Sequence, residues 1–328
     1  MNNFTFADLC CLFCFPPCPS SIAAKLAFLP PKPSYSLKPI NNSGSLGCEQ
    51  GTSRIYKIQI NNTSSSCGCS SLTPELNKDA CQVDECEQAE PFYVMTKRRN
   101  RIVCLYMKAS VQNPKYTILY SHGNAVDLGQ MCSFFSMLSA CLNCNIFSYD
   151  YSGYGGSSGR PSEHNMYADA DAAWNSLRNL YEVPAEKIII YGQSIGSVPS
   201  IDLAARYKCA GVILHSPMVS GIRVACPGCT AIPTLCDVFQ STPKISKIKS
   251  YTLVIHGTND EVINISHGIT IFDRLKYPAE PLWVKGAGHN DIEMFDGFFE
   301  RIRKFVFKEC VEHSSNQNSE SASNGAIF

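Results

Sequence analysis

The sequence predicts an α/β fold in which a mostly parallel central sheet carries helices on both faces, within residues 91–310. Short runs rich in β-branched and aromatic residues alternate there with segments of helix length. These runs are apolar at almost every position, which is typical of parallel strands covered by helices on both sides. The chain also has 328 residues, of which 45% are hydrophobic, so it can form one large core.

The elements follow one another in regular order. The predicted strands are Tyr116–Ser121, Asn145–Tyr149, Lys187–Tyr191, Gly211–His215, Tyr251–His256 and Pro281–Val284. The predicted helices lie at 127–142, 166–182, 195–208, 267–276 and 291–308. Right-handed crossovers bring the carboxyl ends of parallel strands to one edge of the sheet, where ligands bind in folds of this kind. The basic run Lys97–Arg101 indicates a solvated hairpin turn ahead of these strands.

Composition divides the chain into four parts. Residues 1–37 are apolar and rich in Cys and Pro, and residues 38–90 are a Ser/Cys-rich insert of low complexity. Residues 91–310 hold the alternating strands and helices, and form the predicted catalytic domain. The polar residues 311–328 are expected to be a disordered tail.

Charge and hydropathy exclude several classes of protein. Lys plus Arg and Asp plus Glu each number 28, so the net charge is zero and no nucleic-acid surface is predicted. No uncharged apolar run reaches the ~18 residues that a transmembrane helix needs. The first residues also lack the basic region of a secretory signal. We therefore expect a protein of the cytosolic side, with its 18 cysteines mostly reduced.

The segment Gly192-Gln-Ser-Ile-Gly196 follows an apolar strand and precedes a helix. In that context Gly-x-Ser-x-Gly is a nucleophile elbow, a turn so tight that the residues flanking the serine must be small. The elbow raises the Ser194 hydroxyl above the sheet edge, and the N–H of Ile195 can face a developing oxyanion. The motif alone is common by chance. Its position between a strand and a helix predicts the α/β-hydrolase fold, with Ser194 as nucleophile.

A serine nucleophile needs a base, and the base needs an orienting carboxylate. In this fold the acid and then the histidine follow the serine along the chain. Asp260 comes just after one predicted strand, and His289 ends the Gly-rich turn Lys285-Gly-Ala-Gly-His289 after the next. Both should emerge at the same sheet edge as Ser194. His289 would be the general base, and Asp260 would hold its tautomer and stabilise the imidazolium.

Other residues compete for both roles. Glu261 is adjacent to the candidate acid, and Asp291 is better placed to cap the last helix. His256 is expected to be buried at a strand end, and His215 also ends a strand. His289 is favoured because it is the only His in a Gly-rich loop after the acid.

The second oxyanion donor is expected in the loop His122-Gly-Asn-Ala125, which follows the first predicted strand of the domain. The His-Gly pair permits close approach of the backbone to the substrate oxygen. The donor is the N–H of Asn124 or of Ala125, and the sequence does not separate the two. His122 is expected to be structural, and the loop Tyr149–Gly155 is expected to shape the pocket wall.

Several long segments resemble the α/β-hydrolase domain-containing protein 17 family. They are Ser121-His-Gly-Asn-Ala-Val-Asp-Leu-Gly-Gln130, Asn145-Ile-Phe-Ser-Tyr-Asp-Tyr-Ser-Gly-Tyr-Gly155, Ile190-Tyr-Gly-Gln-Ser-Ile-Gly196, Gly286-Ala-Gly-His-Asn-Asp291, Leu9-Cys-Cys-Leu-Phe-Cys14 and Lys25-Leu-Ala-Phe-Leu-Pro-Pro31. The resemblance covers residues 1–37 and 91–310. Residues 38–90 and the tail look longer than in that family, so nothing is carried over to them.

That family consists of membrane-attached serine hydrolases that remove palmitate from protein cysteines. The resemblance therefore implies a palmitoyl-protein thioesterase whose triad falls on Ser194, Asp260 and His289. It implies S-palmitoylated proteins as partners and a place on the cytoplasmic face of membranes, at the plasma membrane and endosomes. No metal or organic cofactor is required for this chemistry.

Cys10, Cys11, Cys14 and Cys18 lie among aromatic and aliphatic residues near the N-terminus. Thiols beside an exposed apolar segment suit reversible S-palmitoylation, and several acyl chains anchor a protein stably where one does not. The family resemblance supports lipidation. A metal site is the weaker interpretation, because no second Cys or His pair lies nearby. Unmodified reactive thiols are a third.

Two other functions fit the same motifs. A lipase or carboxylesterase would use the same triad on oxygen esters. A non-catalytic α/β-hydrolase scaffold could bind an acylated partner, although the complete triad argues against it. The stretch Pro217–Lys247, between two predicted strands, is the candidate cap and lipid groove in any of these cases.

Overall fold

The computed structural model describes residues 27–39, 56–61, 89–225 and 237–315. Their strands, in chain order, are β1 (Tyr35–Pro39), β2 (Tyr56–Ile60), β3 (Ala89–Met95), β4 (Arg101–Met107), β5 (Thr117–Ser121), β6 (Asn145–Tyr149), β7 (Ile188–Gln193), β8 (Gly211–His215), β9 (Thr252–Gly257) and β10 (Leu282–Val284). Strands β1 and β2 form a small antiparallel sheet. The other eight form one sheet in the order β10-β9-β8-β7-β5-β6-β4-β3.

The large sheet is mostly parallel. Strands β5 to β10 pair in parallel, whereas β4 pairs antiparallel with both β3 and β6 at one edge. The register places Ser121, the last residue of β5, opposite Gly192 of β7. The carboxyl ends of these two strands, which carry the oxyanion loop and the elbow, therefore lie side by side.

Helices cover both faces of this sheet, as the sequence predicts. They are α1 (Leu128–Leu142), α2 (Glu163–Asn179), α3 (Ser197–Arg206), α4 (Gly221–Ala225), α5 (Thr242–Ile245), α6 (Ser266–Phe272) and α7 (Phe298–Lys304). Along β7, Ile188 and Ile190 pack with α2 and α3, whereas Ile189 and Tyr191 pack with α1 and α7. Successive side chains of a strand point to opposite faces, so one apolar run supplies two cores.

Local sequence sets where the helices begin. Asp127 caps α1 in a reciprocal capping box with Gln130, and Ser162 caps α2 through the N–H of Asn165. Asn143 ends α1 in a left-handed conformation. None of the helices in the described ranges is long and apolar enough to cross a membrane.

Two of the predicted elements differ from the structure. The helix expected at 291–308 is interrupted at Gly297, whose φ of 85° only glycine adopts readily. A single 3₁₀ turn, Ile292–Met294, precedes this glycine, and α7 follows it. The helix expected at 267–276 ends earlier, at Phe272. Strands β3 and β4, which flank the predicted hairpin turn, were missed.

The structure also moves three boundaries between the predicted parts of the chain. Residues 27–37, expected in an anchoring segment, pack against the catalytic domain, with Phe28 and Tyr35 buried. The expected low-complexity insert, 38–90, contributes to β1, β2 and β3. The helix that starts with α7 continues to Ser315, so the expected tail is helical at its beginning. Residues 316–328 lie outside the described residues.

Candidate active site

Strand β7 leads into α3 through a tight turn that carries Ser194. Its φ of 54° lies in the left-handed region, which a residue other than glycine occupies only when its surroundings enforce it. A Cβ on Gly192 would lie 2.5 Å from Ser200 Oγ, and a Cβ on Gly196 would lie 2.1 Å from the carbonyl oxygen of Ser121. Only glycine fits at either position, which is the steric requirement of a nucleophile elbow.

Three predicted side chains form a continuous hydrogen-bonded relay at this turn. His289 Nε2 lies 2.9 Å from Ser194 Oγ, and His289 Nδ1 lies 2.8 Å from Asp260 Oδ2. Asp260 and His289 are both largely buried. In this arrangement the ring accepts the serine proton at Nε2 while Nδ1–H donates to the carboxylate. The relay can therefore activate the hydroxyl for attack on a carbonyl carbon.

The environment of Asp260 keeps its carboxyl ionised. Burial acts to raise its pKa, but hydrogen bonds from His256, His289 and the backbone outweigh it, so the pKa lies well below the usual range. The second carboxylate oxygen accepts from the N–H groups of Val262 (3.0 Å) and Ile263 (2.7 Å). These bonds hold the carboxylate in place beside His289.

The loop that carries His289 packs closely against the end of β9. A Cβ on Gly257 would lie 2.4 Å from the carbonyl oxygen of Ala287, so glycine is needed for this approach. The N–H of Gly288 donates to Asp291 Oδ1 (2.7 Å), and that of His289 donates to Glu261 Oε2 (3.2 Å). The two competing acids therefore hold the backbone of the histidine loop.

The expectation that Asp291 caps the last helix was wrong. Asp291 precedes only the 3₁₀ turn Ile292–Met294, and its side chain makes no capping hydrogen bond there. The reason is that the carboxylate already accepts the N–H of Gly288, which lies within the catalytic loop itself. An Asp shortly before a helical pattern indicates a cap. The sequence holds no signal for the hydrogen bond that Asp291 accepts from Gly288 instead.

His256 is a further residue at the site whose contact with the acid the sequence did not reveal. It is fully buried, and its Nε2 lies 2.7 Å from the Ile263 carbonyl oxygen and 3.2 Å from Asp260 Oδ2. Because both neighbours are acceptors, Nε2 carries the proton. Asp260 thus receives hydrogen bonds from two histidines. The i, i+4 spacing of His256 and Asp260 is the only sequence signal, and it is weak.

His215, the other competing histidine, is fully buried and lies apart from the relay. Its Nδ1 is 3.0 Å from the Tyr191 hydroxyl, and burial lowers its pKa to about 3. The ring is therefore neutral at physiological pH and has a structural role.

The oxyanion loop lies directly beside the elbow. The position of a Cβ on Gly123 is 3.9 Å from Ser194 Cβ, so the backbone of this loop borders the space in front of the nucleophile. Ala125 has a φ of 59°, another left-handed residue. The N–H groups of Ile195 on the elbow and of Asn124 or Ala125 on the loop remain the candidate donors.

Aromatic residues of the loop 149–155 support the oxyanion loop from behind. The hydroxyl of Tyr151 donates to the carbonyl oxygen of His122 at 2.6 Å, and that of Tyr154 donates to Asn124 Oδ1 at 2.7 Å. His122 is fully buried, and its Nδ1 lies 2.8 Å from the carbonyl oxygen of Gly123. It therefore shapes the loop from within, as a structural residue does.

The described ranges contain no group of three or more His, Cys, Asp or Glu side chains that could hold a metal ion. Cys10, Cys11, Cys14 and Cys18, the candidate lipidation sites, lie outside the described residues. Only 217–225 and 237–247 of the candidate cap are described.

A strained serine at the end of parallel strand β7, joined to an aspartate that follows β9 and a histidine that follows β10, defines a serine hydrolase of the α/β-hydrolase fold. Residues 112–233 match the family described as Serine aminopeptidase, S33. An esterase from Pyrococcus furiosus has a similar structure, with a TM-score of 0.55 and 15% sequence identity over 72% of this chain and 94% of that protein. At that identity the likeness concerns the fold.

Closer relatives specify the family. The chain is 53% identical over 312 residues to alpha/beta hydrolase domain-containing protein 17B of Xenopus tropicalis, covering 95% of this chain and 99% of that protein. It is 52% identical to the Homo sapiens protein of the same name, with the same coverage. The chain therefore belongs to the alpha/beta hydrolase domain-containing protein 17 family, as the quoted segments predict.

Proposed function

We propose that the protein hydrolyses the thioester of S-palmitoylated cysteines on membrane-associated proteins. The observation that carries this proposal is the relay from Ser194 Oγ through His289 to Asp260, with both hydrogen bonds at 2.8–2.9 Å. A relay of this kind cleaves an activated acyl group without a metal or organic cofactor. The choice of a palmitoyl thioester rests on the family resemblance and on the apolar surroundings of the site.

In the acylation half-reaction, Ser194 Oγ attacks the thioester carbonyl carbon while His289 Nε2 takes the hydroxyl proton. The tetrahedral intermediate carries a negative charge on oxygen, which the N–H of Ile195 and a second N–H from Asn124 or Ala125 stabilise. The carbon–sulfur bond then breaks. The cysteine sulfur leaves with the proton from His289, and an acyl-serine remains.

In the deacylation half-reaction, water replaces the departing cysteine peptide. His289 removes a proton from the water as it attacks the acyl-serine carbonyl, and the same N–H groups stabilise the second intermediate. Collapse returns the proton to Ser194 Oγ and releases palmitate. Asp260 stays ionised throughout and stabilises the imidazolium in both halves.

Exposed apolar side chains lie beside each loop of the site, which supports a lipid substrate. Leu29 is next to the oxyanion loop, Val262 follows the acid, and Met294 follows the histidine loop, with 38%, 48% and 40% of their surface exposed. Exposed apolar residues around a polar site favour an acyl chain or a membrane surface. In the cap candidate Pro217–Lys247, Met218 and Val219 are buried in the same apolar core as Ile195 of the elbow.

The lipidated N-terminus belongs to the same proposal. Acyl chains on Cys10, Cys11, Cys14 and Cys18 would hold the enzyme at the cytoplasmic face of the plasma membrane and endosomes, where its substrates lie. Acyl exchange after hydroxylamine treatment should label the wild-type chain, and replacement of all four residues by Ser should abolish labelling and move the protein to the soluble fraction. Unchanged membrane partitioning would exclude this anchor.

The reaction itself is tested with matched substrates. Full-length protein is incubated with a palmitoyl-cysteine peptide on vesicles, with the corresponding palmitoyl-serine peptide and with a triacylglycerol. We expect release of palmitate from the thioester at the highest kcat/KM, and none with Ser194→Ala. Faster turnover of either oxygen ester would instead assign a lipase or carboxylesterase. Absence of Ser194-dependent labelling by a fluorophosphonate would leave only the non-catalytic scaffold.

A further inference from the structure

Residues 27–35, which we call the strap, run alongside the oxyanion loop. The side chain of Asn124 is bound to the strap at both ends of its amide. Its Nδ2 donates to the carbonyl oxygen of Ala27 at 2.6 Å, and its Oδ1 accepts the N–H of Leu29 at 3.0 Å. Asn124 is thus joined to backbone groups 95 to 97 positions earlier in the chain.

An aromatic contact holds the strap against the domain at the same point. Phe28 is buried, with its ring centroid 6.4 Å from that of Tyr154 and 5.5 Å from that of Phe239, both in edge-to-face arrangement. The Tyr154 hydroxyl also accepts the N–H of Leu29 at 3.2 Å, in addition to donating to Asn124. Tyr154 therefore ties the strap and the oxyanion loop together.

Polar groups hold the other end of the strap beside the end of the same loop. Ser34 donates to Asp127, the residue that caps α1, through its N–H (2.7 Å) and its hydroxyl. The hydroxyl of Tyr35 donates to Asp150, whose other oxygen accepts the N–H of Leu128 at 3.0 Å. The loop between β5 and α1 is therefore bound to the strap near its beginning and at its end.

The loop needs such support because part of its backbone is strained. Ala125, one position after Asn124, has a φ of 59°. A residue other than glycine keeps a left-handed conformation when surrounding contacts enforce it, and such strain concentrates at functional sites. The contacts that fix the side chain next to Ala125 are those of the strap and of Tyr154.

We propose that the strap holds the oxyanion loop in its catalytic conformation, with Asn124 as a positioning residue that acts through its side-chain contacts with Ala27 and Leu29. The backbone N–H that meets the oxyanion belongs to this loop. Its position would then depend on residues near the N-terminus that touch no substrate. The proposal holds for any acyl substrate of this serine hydrolase and does not depend on the thioester specificity proposed above.

The test compares Asn124→Ala and Phe28→Ala with a matched control in the full-length chain. Asn61→Ala is the control, because Asn61 Nδ2 also donates to a strap carbonyl, that of Pro33, but away from the oxyanion loop. The substrate is p-nitrophenyl octanoate, so the result is independent of activity on thioesters. Active sites are counted by fluorophosphonate titration, and thermal unfolding is recorded for each variant.

A displaced oxyanion donor lowers transition-state stabilisation and leaves substrate binding intact. We expect Asn124→Ala to lower kcat ~10–100-fold with KM within ~2-fold, since displacement by an ångström costs about that much. The inhibition constant of an octyl trifluoromethyl ketone should rise by the same factor, because its serine adduct carries the oxyanion. Phe28→Ala should show the same pattern with a smaller factor. Asn61→Ala should leave both constants unchanged.

The opposite pattern would overturn the proposal. If Asn124→Ala keeps kcat and the inhibition constant at wild-type values, the strap only stabilises the fold. If Asn124→Ala does not fold, Tyr154→Phe is decisive, because it removes only the hydroxyl between Leu29 and Asn124. A fall in kcat with an equal rise in the inhibition constant of Tyr154→Phe would support the proposed role of the strap. Wild-type values of both constants would refute it.

Discussion

The two sides of Ser194 are built in different ways. On the acid–base side, Asp260 and His289 lie in loops after neighbouring strands, and their main partners come from the same two loops. On the oxyanion side, the loop around Asn124 is bound by residues that precede it by more than 90 positions. The geometry of the acid–base side follows from the order of the strands in the sheet. The geometry of the oxyanion side depends on the packing of a segment that is distant along the chain, residues 27–35.

This difference has consequences for how each side can fail. The relative position of a carboxylate and an imidazole that are fixed by short loops is altered mainly by substitutions in those loops. The position of a backbone N–H that is held by a remote segment also depends on substitutions in that segment. Such positions are far from the reacting atoms and belong to no catalytic motif. We therefore expect substitutions on the acid–base side to lower kcat. Substitutions on the oxyanion side should displace the donor N–H, which also lowers kcat, and should in addition lower the free energy of unfolding.

The largest effect is expected from Asp260→Asn. The amide cannot hold His289 in the tautomer that accepts the serine proton, so kcat should fall ~10⁴-fold, as for other triads. Steady-state ester hydrolysis, corrected for active sites, measures it. Glu261→Gln is the control, because Glu261 only accepts the N–H of His289, and ~10-fold or less should be lost. Equal losses in the two variants would disprove the assignment of the acid.

A smaller loss of activity is expected from Gly257→Ala. The new Cβ would lie 2.4 Å from the carbonyl oxygen of Ala287 and push the histidine loop away from the acid. A displacement of about 1 Å costs ~100-fold in kcat. On the oxyanion side, a Cβ on Gly123 would meet nothing closer than 3.9 Å, so Gly123→Ala should keep the wild-type melting temperature. A lower melting temperature for Gly123→Ala than for Gly257→Ala would contradict this steric comparison.

The oxyanion side should lose stability when a buried contact of the strap is removed. The Tyr35 hydroxyl donates to Asp150 and accepts the N–H of Gly156 at 3.1 Å. Tyr35→Phe leaves the buried carboxylate of Asp150 without this donor and the N–H of Gly156 without its acceptor, and should lower the free energy of unfolding by about 1–3 kcal/mol in urea titrations. Tyr56→Phe, on the neighbouring strand β2, provides the comparison. A larger loss in Tyr56→Phe would show that the Asp150 contact is dispensable.

The last effect concerns the dependence of stability on pH, where two buried groups outside the relay, Asp169 and His215, should oppose each other. Burial raises the pKa of Asp169, which accepts from Ser152 behind the oxyanion loop, to about 7, and lowers that of His215 to about 3. Between about pH 4 and 6.5 the folded chain thus holds a proton on Asp169 that the unfolded chain has lost, and the reverse holds for His215. The Asp169 contribution to stability falls as pH rises through this window, whereas the His215 contribution rises.

Two variants separate the contributions of Asp169 and His215 to the pH dependence of the free energy of unfolding. Asp169→Asn should make the free energy of unfolding rise more steeply between pH 4.5 and 6.5, and His215→Asn should make it rise less or fall. Each change should amount to about 2 kcal/mol over that interval. Urea midpoints at the two pH values provide the measurement. Parallel shifts of the same sign in both variants would contradict the opposed titration.

The sequence was sufficient for the fold class and for the residues of the relay. Apolar runs such as Ile188-Ile-Ile190 predict buried parallel strands, and parallel strands bring their carboxyl ends to one edge whatever their order in space. The steric requirement of the elbow is local, so Gly192 and Gly196 reveal it directly. The end of a helix at Phe272 was not predicted because a helical pattern of apolar residues does not mark where a helix ends. The break at Gly297 has a local cause, the positive φ of that glycine, but an isolated glycine within a helical pattern does not always interrupt a helix.

The contact of the strap with Asn124 follows from no pattern of spacing, and the contact of His256 with Asp260 is indicated only weakly by their i, i+4 spacing. They depend on how separate segments pack in space, and a side-chain amide that meets a backbone carbonyl 97 positions away leaves no periodicity or motif to detect. The sequence by itself determined the central sheet, the nucleophile and the order of acid and base, because these obey local sterics and strand topology. The tertiary structure alone decided how the oxyanion loop is held, because those hydrogen bonds join groups that are distant along the chain.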